Sequence, residues 1–263
     1  MIFDTHTHLN DERFAGREAE EIQLAKEYDV TEMAVVGYDE QSNAKSLQLS
    51  RDFDEVYSII GWHPTEISRY SVAMEELLQE QLSNDNVVAL GEIGLDYYWM
   101  DDPKEEQERV FRRQLAIARE MHLPVSIHTR SKEVNSFEAY EDVYRILKEE
   151  KVQGIIHSFN GNREWMEKFV DLGMMVSFSG VVTFKKSTDI QEAAQAVPAD
   201  CFLLETDAPY LAPVPKRGHT NHAAYTKYIA ECIADIRGED WETIAKVTRD
   251  NAHRLFGIGE THD

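Results

Sequence analysis

Along this chain, short apolar runs rich in branched residues alternate with longer stretches in which apolar residues recur three and four positions apart. The first pattern is that of buried strands and the second that of helices with one apolar face. Eight strand-like runs fall near 1–8, 31–37, 56–62, 87–94, 123–129, 152–158, 174–182 and 201–207. Helical stretches lie between them at 12–29, 40–52, 71–83, 104–121, 136–150, 163–172 and 190–197, and two more, 222–237 and 241–256, follow the last run. Strands alternating with helices imply a parallel sheet. Eight such units in 263 residues predict a closed (β/α)8 TIM barrel rather than an open doubly wound sheet. No linker, low-complexity tract or further repeat interrupts 1–263, so a single domain is expected.

Residues able to ligate metal end several of these runs: His6 and His8 in FDTHTHL, Glu92 in GEIGLD, His128 in VSIHTR, His157 in IIHSF and Asp207 in LLETDAP. In a (β/α)8 barrel the C-terminal strand ends meet in one mouth, so ligands distant in sequence converge there. Alternation puts His6 and His8 on one strand face, within reach of one ion. Glu92 follows the apolar run VVALG, where an unpaired carboxylate would be costly to bury, and its two oxygens suit a bridge between ions. Asp207 and Glu205 also share a face. Asp207 is read as ligand and proton acceptor, and Glu205, one layer deeper, as a residue that orients a ligand or water. Asp4 is expected to make a structural hydrogen bond. Four histidines and two carboxylates are the inventory of a hydrolase with two divalent ions. The donor mix suits Zn, Mn, Fe or Co, with Mg less natural on imidazole.

Charge complicates this picture. The chain carries 27 basic and 49 acidic residues, a net charge of −22, which excludes a broad basic face for nucleic acid. Much of the acid sits in helical stretches such as 18–21, 75–80 and 101–108 and reads as a solvated outer face. Bound cations would restore positive charge locally. Arg130, Lys185, Lys186, Lys216 and Arg217 fall just after the fifth, seventh and eighth runs, where a small anion site is conceivable. Of these, Arg130, Lys185, Lys186 and Arg217 are the candidate phosphate contacts. Tyr97, Tyr98 and Trp99, and likewise Phe159 and Phe184, could stack on a base or pack their loops. Cys201 and Cys232 form no metal or redox spacing and read as core thiols. The N-terminus MIFDTHTHLN lacks a secretory pattern and no apolar run is long enough to span a membrane, so a cytoplasmic protein without membrane contact is expected.

Taken together, FDTHTHL, GWHP, GEIGLDYY, HTR, HSFNG, VSFSG and ETDAPYLAP resemble the TatD family of metal-dependent deoxyribonucleases in the amidohydrolase superfamily, over positions 3 to 256. The resemblance implies a (β/α)8 barrel with two divalent metal ions. His6, His8, Glu92 and Asp207 would hold one, and Glu92, His128 and His157 the other. His63 of GWHP would be an active-site histidine in contact with phosphate. The implied reaction is hydrolysis of DNA phosphodiesters, often from a 3′ end. A mouth with a few aromatics suits single-stranded or frayed DNA as partner better than an intact duplex, and no obligate protein partner is expected. Two loops depart from the family pattern. An acidic residue that commonly follows the His-x-Arg is replaced by SKEVNS, and the Asn-Glu-Pro after the last Arg-Gly is replaced by a segment leading to Asn221-His222-Ala223. Both departures bear on substrate. A metallohydrolase of small amides, esters, lactones or phosphoesters fits the same ligands, and the acidic surface favours it; a noncatalytic metal protein predicts a gap in the ligand set that the sequence does not have.

Overall fold

The computed structural model describes residues 1–99, 103–133 and 136–259. Of the stretches singled out above, Asp101, Asp102, Val134 and Asn135 lie outside them. Eight strands, β1 (Ile2–Thr7), β2 (Val30–Val36), β3 (Val56–Ile60), β4 (Val87–Asp96), β5 (Val125–Arg130), β6 (Gly154–Ile156), β7 (Met174–Phe178) and β8 (Phe202–Leu204), form one parallel sheet in sequential order. Around it run α1 (Glu18–Glu27), α2 (Glu40–Asp52), α3 (Val72–Leu82), α4 (Lys104–Glu120), α5 (Glu138–Glu150), α6 (Arg163–Asp171), α7 (Thr188–Ala196), α8 (Thr226–Arg237) and α9 (Trp241–Phe256). This is the expected (β/α)8 barrel. Asp39 starts α2 with a capping box, and the side chain of Asn162 caps α6 through the N–H of Trp165.

The sheet closes at a seam between β1 and the residues just after β8. Asp207 N–H donates to His6 O at 2.8 Å and His8 N–H to Ala208 O at 2.7 Å. One layer deeper, Asp4 takes the place of a backbone ladder: its carboxylate accepts the N–H and hydroxyl of Thr206 at 2.9 and 2.5 Å. Burial pushes that carboxyl up to about 8, against the pull of its Thr206 hydrogen bonds. Asp4 therefore has the structural role expected of it.

Inside the barrel, Phe3, Val36, Ile59, Ala89, Ile155, Met175 and Leu203 join Ala252 and Phe256 of α9, which covers the bottom. The alternate residues, among them Val35, Ile60, Leu90, Ile127, Ile156 and Leu204, pack outward against the helices. Of four slips in register, two interrupt this alternation near the mouth, on β1 between Asp4 and Thr7 and on β4 between Leu90 and Ile93. Each sits beneath a mouth residue and changes parity, so that Phe3 and His6, or Ala89 and Glu92, both face the barrel axis. A local extra residue that re-aims a side chain beside a functional site is a known use of strand irregularity.

Several expected boundaries move, for local reasons. The stretch 12–29 splits, because Asp11 caps a separate 3-10 turn at Glu12–Phe14 before α1 begins. The seventh strand ends at Phe178, since Gly180–Thr183 turns into a 3-10 helix packed on the loop after β8, where a Cβ on Gly180 would meet Leu211 O at 1.9 Å. β6 and β8 are shorter than expected at both ends; beyond them, Ser158 and Asp207 take positive φ, 43° and 56°, which breaks the extended backbone. The described acidic helical stretches are largely the solvated face anticipated, laced by pairs such as Arg145 with Glu108 and Arg113 with Glu75, but Glu21 is buried, with Oε2 2.6 Å from His222 Nδ1. Both cysteines are half-buried and unpaired. Among the described residues no helix is long and apolar enough to cross a membrane.

Candidate metal centre

The mouth brings together His6 and His8 from β1 and its end, Glu92 from β4, His128 from β5, and His157 and Asp207 just after β6 and β8. The two carboxylate oxygens of Glu92 face different partners. Oε2 lies 3.6 Å from His6 Nε2 and 4.0 Å from His8 Nε2. Asp207 Oδ1 completes this group, 3.3 Å from His8 Nε2 and 3.8 Å from His6 Nε2. Glu92 Oε1 instead lies 2.9 Å from His128 Nδ1, 3.4 Å from His157 Nε2 and 3.6 Å from His63 Nε2.

These groups fit a metal ion on three counts. Donors held at roughly 2.0–2.1 Å by a tetrahedral ion lie about 3.3 Å from one another, close to the spacing of the first group. Imidazoles that ligate metal have their far nitrogen fixed by an acceptor. Here His8 Nδ1 is 3.0 Å from Val36 O, His128 Nε2 is 2.9 Å from Asp96 Oδ2, and His157 Nδ1 is 2.8 Å from Glu205 Oε1. Finally, Glu205 Oε2 is buried with no hydrogen-bond partner among the described residues, so polar demand is left unmet beside the cluster, although His6 Nδ1 lacks the fixing acceptor that the other rings have nearby. The His157 N–H is close to Glu205 but not aligned for a good hydrogen bond; Glu205 Oε1 takes one from Ser158 N–H at 2.7 Å.

Electrostatics bind the cluster together. Burial alone would raise the Glu92 carboxyl, but the facing imidazoles of His63, His157, His128 and His6 hold it well below the ordinary range. Asp207 is held down in the same way by His8 and His157. Burial presses His157 down, yet Glu205 and Glu92 outweigh it and lift the imidazole to about 10; Asp96 and Glu92 lift His128 to about 9. His63, half-buried and desolvated beside His128, falls to about 3. Carboxylates that favour a proton on these nitrogens favour a metal cation there as well.

The centre opens into a cavity of about 860 Å³ lined by Tyr38, Thr65, Glu66, Tyr98, Trp99 and Arg130, and a second pocket of about 360 Å³ continues past Arg130 towards Lys132, Ser158 and Asn160. Arg130 is thus placed at the mouth. Lys185, Lys186 and Arg217 are exposed and line neither space; the Arg217 guanidinium sits 3.8 Å from the Phe184 ring. Lys216, read above as part of a local anion site, lies instead near the rings of Tyr225 and Tyr228. Tyr97 and Phe159 are buried and pack their loops.

Sequence reading passed over Asp96, Tyr38 and Tyr210. Asp96 shares its strand parity with Glu92, four residues further along β4, which was the available signal. Its carboxylate holds His128 and also accepts the N–H groups of Tyr98 and Trp99 at 2.9 Å each.

The family described as TatD related DNase matches residues 3–257. The chain belongs to the TatD-related DNase family. The TatD-type chain is 41% identical to the uncharacterized metal-dependent hydrolase YabD of Bacillus subtilis, over 98% of this chain and all of that one. It is 34% identical to the 3′-5′ ssDNA/RNA exonuclease TatD of Escherichia fergusonii, over 98% and 99% of the two chains. Among solved structures it is similar to YjjV, a TatD homologue from Escherichia coli, with a TM-score of 0.90 and 28% identity over 98% of each chain. This TatD-family protein is a metal-dependent hydrolase acting on ester bonds.

Proposed function

We propose that this TatD-family protein is a two-metal phosphodiesterase that removes nucleotides from the 3′ end of single-stranded DNA. The observation that carries this reading is the division of Glu92, whose Oε2 serves the His6, His8 and Asp207 group and whose Oε1 serves His128 and His157. His6, His8, Asp207 and Glu92 would hold one ion, and Glu92, His128 and His157 would hold the other. When bound, two divalent cations supply Lewis acidity, polarising a phosphoryl oxygen and making a water acidic near neutral pH. The similarity to a relative named as a 3′-5′ exonuclease supports the choice of substrate and polarity.

The protein's own groups supply the rest. Asp207, kept ionised by His8 and His157 and partly open to the cavity, is the carboxylate placed to take a proton from the attacking water. His63, kept neutral and steadied through Nδ1 by Thr65 at 2.7 Å, offers Nε2 towards the phosphate. Asp96 fixes the ring of His128, Glu205 sets its charge beside His157 Nδ1, and Arg130 meets the anionic chain at the mouth. Lys185, Lys186 and Arg217 serve at most as outlying contacts with a longer strand.

The net charge of −22 favours a second reading, hydrolysis of a small phosphoester, ester or lactone. Parallel assays of DNA oligomers and small chromogenic esters separate the two. Preference for the oligomer supports the nuclease, and turnover of esters alone overturns it.

A further inference from the structure

Four aromatic side chains, Tyr38, Tyr98, Trp99 and Tyr210, are 37%, 50%, 60% and 47% exposed. Among the described residues no other Phe, Tyr or Trp is exposed to that degree. A single exposed ring is ordinary, but all four line the one cavity that holds the metal centre. They form two pairs. Tyr38 and Tyr210 follow β2 and β8 and straddle β1, with ring centroids 5.8 and 6.2 Å from that of His8. Tyr98 and Trp99 follow β4, on the side of His128. Their backbone N–H groups are both tied to Asp96, and their rings meet edge to face at 4.8 Å.

The two pairs are built alike. A guanidinium backs one tyrosine in each, Arg130 4.2 Å from the Tyr98 centroid and Arg13 4.6 Å from that of Tyr210. Such cation–π contact and the Asp96 tether hold the rings before any ligand arrives. Their charges differ, however. Arg13 is paired with Asp11, whereas Arg130 and its neighbour Lys132 have no carboxylate in ion-pair range among the described residues and open onto the second pocket.

We propose that these pairs are two base-binding faces, one on each side of the scissile phosphodiester, so that the protein grips the last two unpaired bases of a DNA strand. The Tyr38–Tyr210 pair takes the terminal base. The Tyr98–Trp99 pair takes the next, and the phosphates of the remaining strand run over Arg130 and Lys132. This inference rests on the phosphodiesterase reading and deepens it. Bases stack on such rings with little sequence preference, and a paired base, covered on both faces by its neighbours, cannot enter.

The test is fluorescence anisotropy of the metal-loaded protein with two 5′-labelled oligothymidylates. Phosphorothioate linkages block cleavage in both, and one carries abasic sugars at its two 3′ positions, so the phosphate count is equal. The expected result is binding about 5- to 150-fold weaker per missing base. That ratio collapses towards one in a protein with both Trp99→Ala and Tyr210→Ala, while Lys132→Ala weakens both oligomers alike. Both aromatic substitutions lie on exposed side chains, and circular dichroism verifies folding. Equal binding of the two oligomers by the unaltered protein overturns the base faces but leaves the phosphodiesterase standing. Binding of neither overturns the base faces too, and hydrolysis of bis(4-nitrophenyl) phosphate then reports whether the phosphodiester reading survives.

Discussion

Asp96 stands behind His128, its Oδ2 2.9 Å from the imidazole Nε2, while the other ring nitrogen faces Glu92. A carboxylate in that position fixes the ring and increases its basicity, and removing such a partner typically lowers metal affinity or activity about 10- to 100-fold. Asp96→Asn should therefore weaken one bound metal by that factor in a competition titration against a chromophoric chelator. Unaltered affinity would show that Asp96 matters only as the cap of the Tyr98–Trp99 turn.

Metal should also stabilise the fold, because the donors already stand together before it binds. At a concentration one hundred times the Kd, binding to the native state alone contributes about 2.7 kcal/mol. In a barrel of this size that raises Tm by about 5 °C or more. Scanning calorimetry of chelator-treated protein, with and without added Mn²⁺ or Zn²⁺, checks this; coincident transitions would mean the cluster does not hold metal.

Gly94 has φ +144°, and a Cβ there would lie 2.0 Å from His128 O. The strand could move away only by shifting the backbone that carries Glu92 and His128. Gly94→Ala is expected to cost at least about 2 kcal/mol in urea unfolding. A loss below about 0.5 kcal/mol would show that β4 and β5 can separate freely.

On the outer face, Glu108 is held down to about 2 by hydrogen bonds from Arg145 and Arg112, against some desolvation. Its folded pKa is depressed from the ordinary 4.5, so its stabilising effect is present above about pH 4.5 and is lost as pH falls through about 2. Because the network is partly exposed, its worth is on the order of 0.5 kcal/mol. The stability difference between the unaltered protein and Glu108→Gln should persist from neutral pH to about 4.5 and vanish near pH 2. A difference constant across that range would trace to packing instead.

The barrel and the mouth residues were legible because both depend on short-range pattern. Apolar runs ended at His128, His157 and Glu92, and eight repeats left little choice of architecture. What the pattern could not carry was parity. Counting back from His6 turns Phe3 outward, whereas the register slip on β1 puts Phe3 in the barrel and sends Asp4 to the seam. The positive φ of Asp207 and Ser158 likewise reflects closure against β1 and Glu205, contacts between residues far apart in sequence. Tyr97, Tyr98 and Trp99 looked alike as neighbours in sequence. Only the fold separates them, since Tyr97 turns inward to donate to Asp142 at 2.8 Å while the other two remain in solvent.

The central claim is that Glu92 joins two metal sites into one phosphodiesterase centre. It is tested most directly with 3′-labelled and 5′-labelled single-stranded DNA oligomers, using protein stripped of metal and then titrated with Mn²⁺, beside Glu92→Ala. The account predicts that the 3′ label is released first, that cleavage rises to a plateau as two equivalents of metal bind, and that Glu92→Ala loses both the second equivalent and the cleavage. Two bound ions with no cleavage of either oligomer, or full cleavage by Glu92→Ala, would contradict it.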